Sequence, residues 1–123
     1  MKPWLAVGAI NGAMAVAAGA FAAHGLRGVL TPEALQVFDT AARYQMYHGL
    51  ALGLCGLAAY GNAARVSAWS FLIGIVLFSG SLYGLALTGI RVLGFVTPFG
   101  GVAFLVGWLA LAWSAVRKDR MRS

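Results

Sequence analysis

Residues 4–24 read WLAVGAINGAMAVAAGAFAAH, a stretch without a single Lys, Arg, Asp or Glu. An α-helix rises ~1.5 Å per residue and the hydrocarbon core of a bilayer is ~30 Å thick, so about 20 such residues cross it. Lys2 before the stretch and Ala20-Phe21-Ala22 near its end imitate a secretion signal. The apolar run is longer than the ~7–15 residues of a signal core, which favours a membrane span.

Working outward, three more apolar stretches follow. The predicted spans are 4–24, 41–60, 66–88 and 98–116, with an interfacial helix start over 32–40. Hydrophobic residues make up 61% of the 123 residues and charged residues 10%, against ~25% charged in a soluble domain. A soluble fold of this size has more surface than so few polar groups could cover. The predicted fold is therefore an all-α membrane protein, a compact antiparallel four-helix bundle forming one domain, with the lipid bilayer as its first partner. The single Cys55 sits inside an apolar run and reads as a small buried residue.

Thr31-Pro32-Glu33 carries a helix-start signal: a capping hydroxyl, a proline at the first helical position and an acid in the first turn. Thr97-Pro98 repeats the cap and the proline. Each follows a Gly-Leu-Arg or Gly-Ile-Arg tripeptide, at Gly25 and Gly89, a pattern that either a duplicated hairpin or shared capping chemistry would give. Asp39 and Arg43 are spaced to pair one helical turn apart.

Charge sets the orientation. With four spans, one side carries Lys2, Arg65, Arg117, Lys118, Arg120 and Arg122, and the other Arg27, Arg43 and Arg91. Basic residues accumulate on the cytoplasmic side, so both termini are expected in the cytoplasm. Trp4, Tyr60, Trp69 and Trp113 fall at the same helix ends, where amphipathic rings prefer to lie. The basic tail beside an apolar span marks a membrane face; without a basic helix face or basic–aromatic surface, nucleic acid is not an expected partner.

Lipid tails are as apolar as leucine, so close packing of small residues must hold such helices together. Gly8, Gly12 and Gly19, Gly49 and Gly53, and Gly80 and Gly84 are the expected packing positions. Polar residues inside a span are costly and usually face protein. His24, Tyr44, Gln45, His48, Ser81 and Tyr83 form the candidate polar cluster or ligand site, with Ser79 nearby, expected in the outer half of the bundle. On a helical wheel Ala41, Tyr44, Gln45, His48, Leu52 and Cys55 share one face. His24, Tyr44, Gln45 and His48 are expected to converge between the first two helices.

The first reading of this cluster is structural. The alternatives are a small-ligand site for a quinone or lipid, a proton site, or haem held by His24 and His48. Haem is disfavoured by the unequal depth of the two histidines, so no cofactor is expected. No acid lies within a span and Met14 occupies the middle of the first, which opposes proton-coupled cation export. No nucleophile–base pair, metal cluster or phosphate loop can be read, so no enzyme is expected. What remains is a structural or accessory membrane protein, joined to a larger complex or to itself.

Three motifs carry a resemblance over nearly the whole chain: Gly19-Ala20-Phe21-Ala22-Ala23-His24-Gly25-Leu26; Phe38-Asp39-Thr40-Ala41-Ala42-Arg43-Tyr44-Gln45-Met46-Tyr47-His48; and Gly80-Ser81-Leu82-Tyr83 with Thr97-Pro98-Phe99-Gly100-Gly101 and Gly107-Trp108. They resemble a small transmembrane family of unknown function that includes YgdD-like inner-membrane proteins and transmembrane protein 256. The resemblance implies an inner-membrane location and supplies no activity. Ala22 stands where that family usually has glycine, which adds a methyl at a point of expected close approach.

Overall fold

The computed structural model describes residues 2–122, with side chains from 3 to 117; the basic side chains of Lys2, Lys118, Arg120 and Arg122 lie outside the described set. Four long helices run up and down: α1 (Lys2–His24), α2 (Pro32–Ala58), α3 (Gly61–Thr88) and α4 (Thr97–Arg122). A 3-10 turn, Arg91–Phe95, leads into α4. The chain is an all-α membrane protein.

Local chemistry sets the ends. Thr31 Oγ1 accepts from the Ala34 N–H at 3.1 Å and Pro32 follows it, so α2 begins as its sequence signal predicts. Thr97 does not repeat this. Its hydroxyl lies 2.6 Å from Ser81 Oγ, and the Phe99 N–H at the start of α4 donates instead to Val96 O at 3.1 Å. Gly89 closes α3 with φ +73°, a left-handed cap that favours glycine, its N–H bonded to Leu85 O at 2.8 Å. Between α2 and α3 only Ala59 and Tyr60 lie outside the two helices, and Gly61 turns the chain with φ +73°. Ser114 of α4 holds this corner, accepting from the Tyr60 N–H at 2.6 Å and donating to Tyr60 O at 2.8 Å. α2 stops at Ala58, just short of the expected 60, while α3 begins at Gly61, ahead of the expected 66.

Three of the helical stretches, Pro3–His24, Gly61–Thr88 and Arg91–Arg117, are long and apolar enough to cross a membrane. α2 is the polar exception, and it is central. α1 packs along it on one side and α3 on the other, while α4 packs mainly on α3. Protein therefore covers Gln45 and His48, while Ile10 and Val16 of α1 and Leu105 and Leu109 of α4 remain outward, facing lipid. The deepest core gathers Leu52, Cys55, Phe71 and Phe104, and a smaller one Ala22, Leu26, Phe38 and Ala86. The extra methyl at Ala22 is thus part of that packing.

Backbone approach is localised. A Cβ on Gly8 would lie 2.5 Å from Gly49 O and 2.8 Å from Gly53 N. On Gly100 it would meet the backbone and Cβ of Phe78, and on Gly107 the ring of Phe71. Gly12 and Gly53 border the first crossing at ordinary contact distance, and Gly84 meets the flexible end of Leu93. Gly19 and Gly80 are not points of close approach: a Cβ there meets nothing within 4 Å. Within α3, Ile75–Ser79 forms a π-turn that the sequence pattern did not signal. Ser79 Oγ there donates to Ala41 O of α2 at 2.8 Å.

Candidate functional site

The polar residues of α2 separate into two directions. Successive helical residues are ~100° apart, so Gln45 turns one way and Tyr44 and His48 another. Gln45 Nε2 donates to Asn11 Oδ1 of α1 at 3.0 Å, and Tyr83 of α3 donates through its hydroxyl to Gln45 Oε1 at 2.8 Å. Asn11 Nδ2 in turn donates to Val7 O at 2.9 Å. One chain of side-chain hydrogen bonds therefore ties three helices together.

His48 faces α4. Its Nδ1 lies 2.7 Å from Tyr44 O, and Trp108 Nε1–H reaches its Nε2 at 3.1 Å. The two bonds together require the neutral tautomer with the proton on Nδ1. The imidazole stacks on Phe104, ring centroids 3.5 Å apart and planes 6° from parallel. Tyr44 is partly exposed, its ring 4.6 Å from that of Phe78. Ser81 Oγ donates to Phe78 O at 2.9 Å and meets Thr97.

The four residues expected to converge therefore do not. Gln45 and His48 are buried on different sides of α2, Tyr44 lies over Phe78, and His24 is exposed at the loop end of α1. Ala23 shares a recess with Leu35 and Gln36, which places His24 about 13 residues, or about 20 Å, along α2 from His48. Both nitrogens of His48 are already engaged, so the two histidines do not form an axial pair. The depth also differs from expectation. Gly8 lies against Gly49, which sets Gln45 level with Asn11, near the middle of α1 rather than in the outer half of the bundle. The sequence reading passed over Asn11 and the indole of Trp108. An amide within an apolar span is the same signal that singled out Gln45, and would have found Asn11. Nothing local marks Trp108 as the histidine's donor.

Among the described residues, every buried side-chain nitrogen and oxygen has a partner, and no three metal-ligating residues cluster. Lower in the bundle, Ser67 Oγ donates to Gly107 O at 2.7 Å and lies 3.3 Å from Cys55 Sγ. The open space lies at the helix seams. Between α2 and α3, a polar recess of about 600 Å³ sits near the start of α2, and an aromatic groove of about 410 Å³ lies between α2, α3 and α4. A third, apolar groove of about 500 Å³ lies over the Gln45–Tyr83 pair, walled by Met14 and Phe21.

A family model described as "Protein of unknown function (DUF423)" matches residues 18–101. The chain belongs to the DUF423 family. Its similar relatives are named UPF0382 membrane proteins. One from Staphylococcus epidermidis is 47% identical over 119 residues, covering 95% of this chain and 98% of the relative. YwdK of Bacillus subtilis is 44% identical over 121 residues, covering 95% and 98%. A Haemophilus influenzae relative is 46% identical over 120 residues, covering 96% and 97%. No solved structure matches. The DUF423 match takes in Gln45, His48, Ser81 and Tyr83 but ends before Trp108 and begins after Asn11.

Proposed function

We propose that this DUF423 member is a non-enzymatic accessory subunit of the bacterial inner membrane, without a prosthetic group, that stabilises or recruits a larger membrane complex. The observation that carries this reading is the exhaustion of its interior polar chemistry. Asn11, Gln45, His48, Tyr83 and the buried serines are all bonded within the chain. A proton or ion path needs polar groups left available to the transported species; here they serve helix contacts. The outward faces of α1 and α4 are then the surfaces that remain for a partner helix.

The excess of basic residues on the side of the termini supports a cytoplasmic location for both. A periplasmic reporter fused after Ser123 is expected to be inactive, and activity would reverse the orientation. The subunit reading is tested by purification in mild detergent, then native mass spectrometry and an absorption spectrum. A stoichiometric larger protein partner with aromatic absorption alone is expected. A Soret band, or a stoichiometric quinone with no protein partner, would overturn it.

A further inference from the structure

Two recesses follow one another along α2, one closed by Leu82 of α3 and the next lying between α2, α3 and α4. The one near the start of α2 is lined by Glu33, Gln36, Asp39, Thr40, Arg43 and Leu82. The deeper one is lined by Tyr44, Tyr47, Phe78 and Phe104, with Gly101 in its wall. Thr40 and Tyr44, and Arg43 and Tyr47, are each four residues apart on α2, so each pair shares a helix face one turn apart. A charged cup thus sits directly above an aromatic, lipid-open groove. That is the shape of an amphiphile, with the headgroup at the interface and a chain in the hydrocarbon.

Charge narrows the headgroup. The cup carries two carboxylates and one guanidinium, a net negative lining that disfavours an anionic lipid. Asp39 meets Arg43 Nε at 2.9 Å, and a guanidinium has N–H donors on two further nitrogens for a phosphate. Glu33 makes no ion pair among the described residues and lies toward the solvent end of α2. A cation is therefore wanted above a phosphate.

We propose that this seam binds one phospholipid with a primary-amine zwitterionic headgroup, of the phosphatidylethanolamine class. The phosphate lies beside Arg43, the ammonium toward Asp39, Gln36 and Glu33, and one acyl chain runs past Tyr44 to Phe104. The site goes beyond the subunit reading and stands without it.

The test uses the full chain purified in detergent, incubated with synthetic phosphatidylethanolamine, phosphatidylglycerol and phosphatidylcholine of identical chains, and read by native mass spectrometry. One retained phosphatidylethanolamine per chain is expected, in preference to the other two. Arg43→Ala is expected to lower retention about tenfold, the worth of one charge-assisted hydrogen bond. Gly101→Leu fills the groove at a position where a Cβ meets nothing within 4 Å, and is expected to abolish retention with the fold intact by circular dichroism. Equal retention of the three lipids, or unchanged retention in Gly101→Leu, would overturn the proposal.

Discussion

Gly8→Ala and Gly19→Ala are the same chemical change, in the same helix, and should have opposite effects. At Gly8 the new methyl would stand 2.5 Å from Gly49 O and 2.8 Å from Gly53 N, whereas real Cβ atoms essentially never approach within 3.0 Å. Both obstacles are backbone, so no side chain can swing aside. Helices α1 and α2 must part by at least the missing half ångström, 3.0 less 2.5 Å. A radial gap of ~0.5–1 Å forfeits about a quarter to a half of each dispersion contact along the interface. Overpacking of this kind costs about 1–3 kcal/mol. The Gln45–Asn11 bond, 3.0 Å long and one turn away, would stretch as well; hydrogen bonds between membrane helices average about 0.6 kcal/mol. The expected loss is about 2–4 kcal/mol. At Gly19 the methyl meets nothing within 4 Å, and alanine gains up to about 1 kcal/mol of helix propensity. Reversible unfolding by SDS in mixed micelles, followed by tryptophan fluorescence, measures both. Unfolding free energies of the two variants within about 0.5 kcal/mol of each other would refute the reasoning, since the predicted separation is several times larger.

Two further outcomes follow from the polar contacts. A double-mutant cycle of Gln45→Leu and Tyr83→Phe should give a coupling of about 0.6 and at most about 1.7 kcal/mol, and a coupling of zero would mean that the 2.8 Å bond contributes nothing. His48→Ala removes the stack on Phe104 and leaves the Trp108 N–H without its acceptor, at about 2–4 kcal/mol; His48→Phe keeps the ring and should lose less, and equal melting temperatures for all three proteins would show that the imidazole carries no structural load.

The expectation of four packed helices rested on particular residues. The charge-free run over 4–24, the Thr31-Pro32 cap and the Asp39–Arg43 pair were all legible, and the last two form as their spacing requires. They are local: each depends on residues within one or two turns. The polar site was legible only as a set of candidates. Gln45 and His48 stood out because burial of a polar side chain needs a partner. A helical wheel resolves angle but not the rotation of neighbouring helices, so it placed both on one face and sent both toward His24.

Sequence by itself determined that this chain lies in a membrane, where α2 begins and that Gln45 and His48 must find partners, because transfer free energy, capping and periodicity act through neighbours along the chain. Tertiary structure alone decided who the partners are. The register of α1 on α2, set where Gly8 meets Gly49, brings Asn11 to Gln45. The approach of α3 and α4 at Phe78 and Gly100 brings Trp108 within reach of His48, sixty residues away in sequence. These registers are fixed by backbone-to-backbone contact at a few glycines, and no local pattern distinguishes a glycine at a crossing from one, such as Gly19, that faces open space.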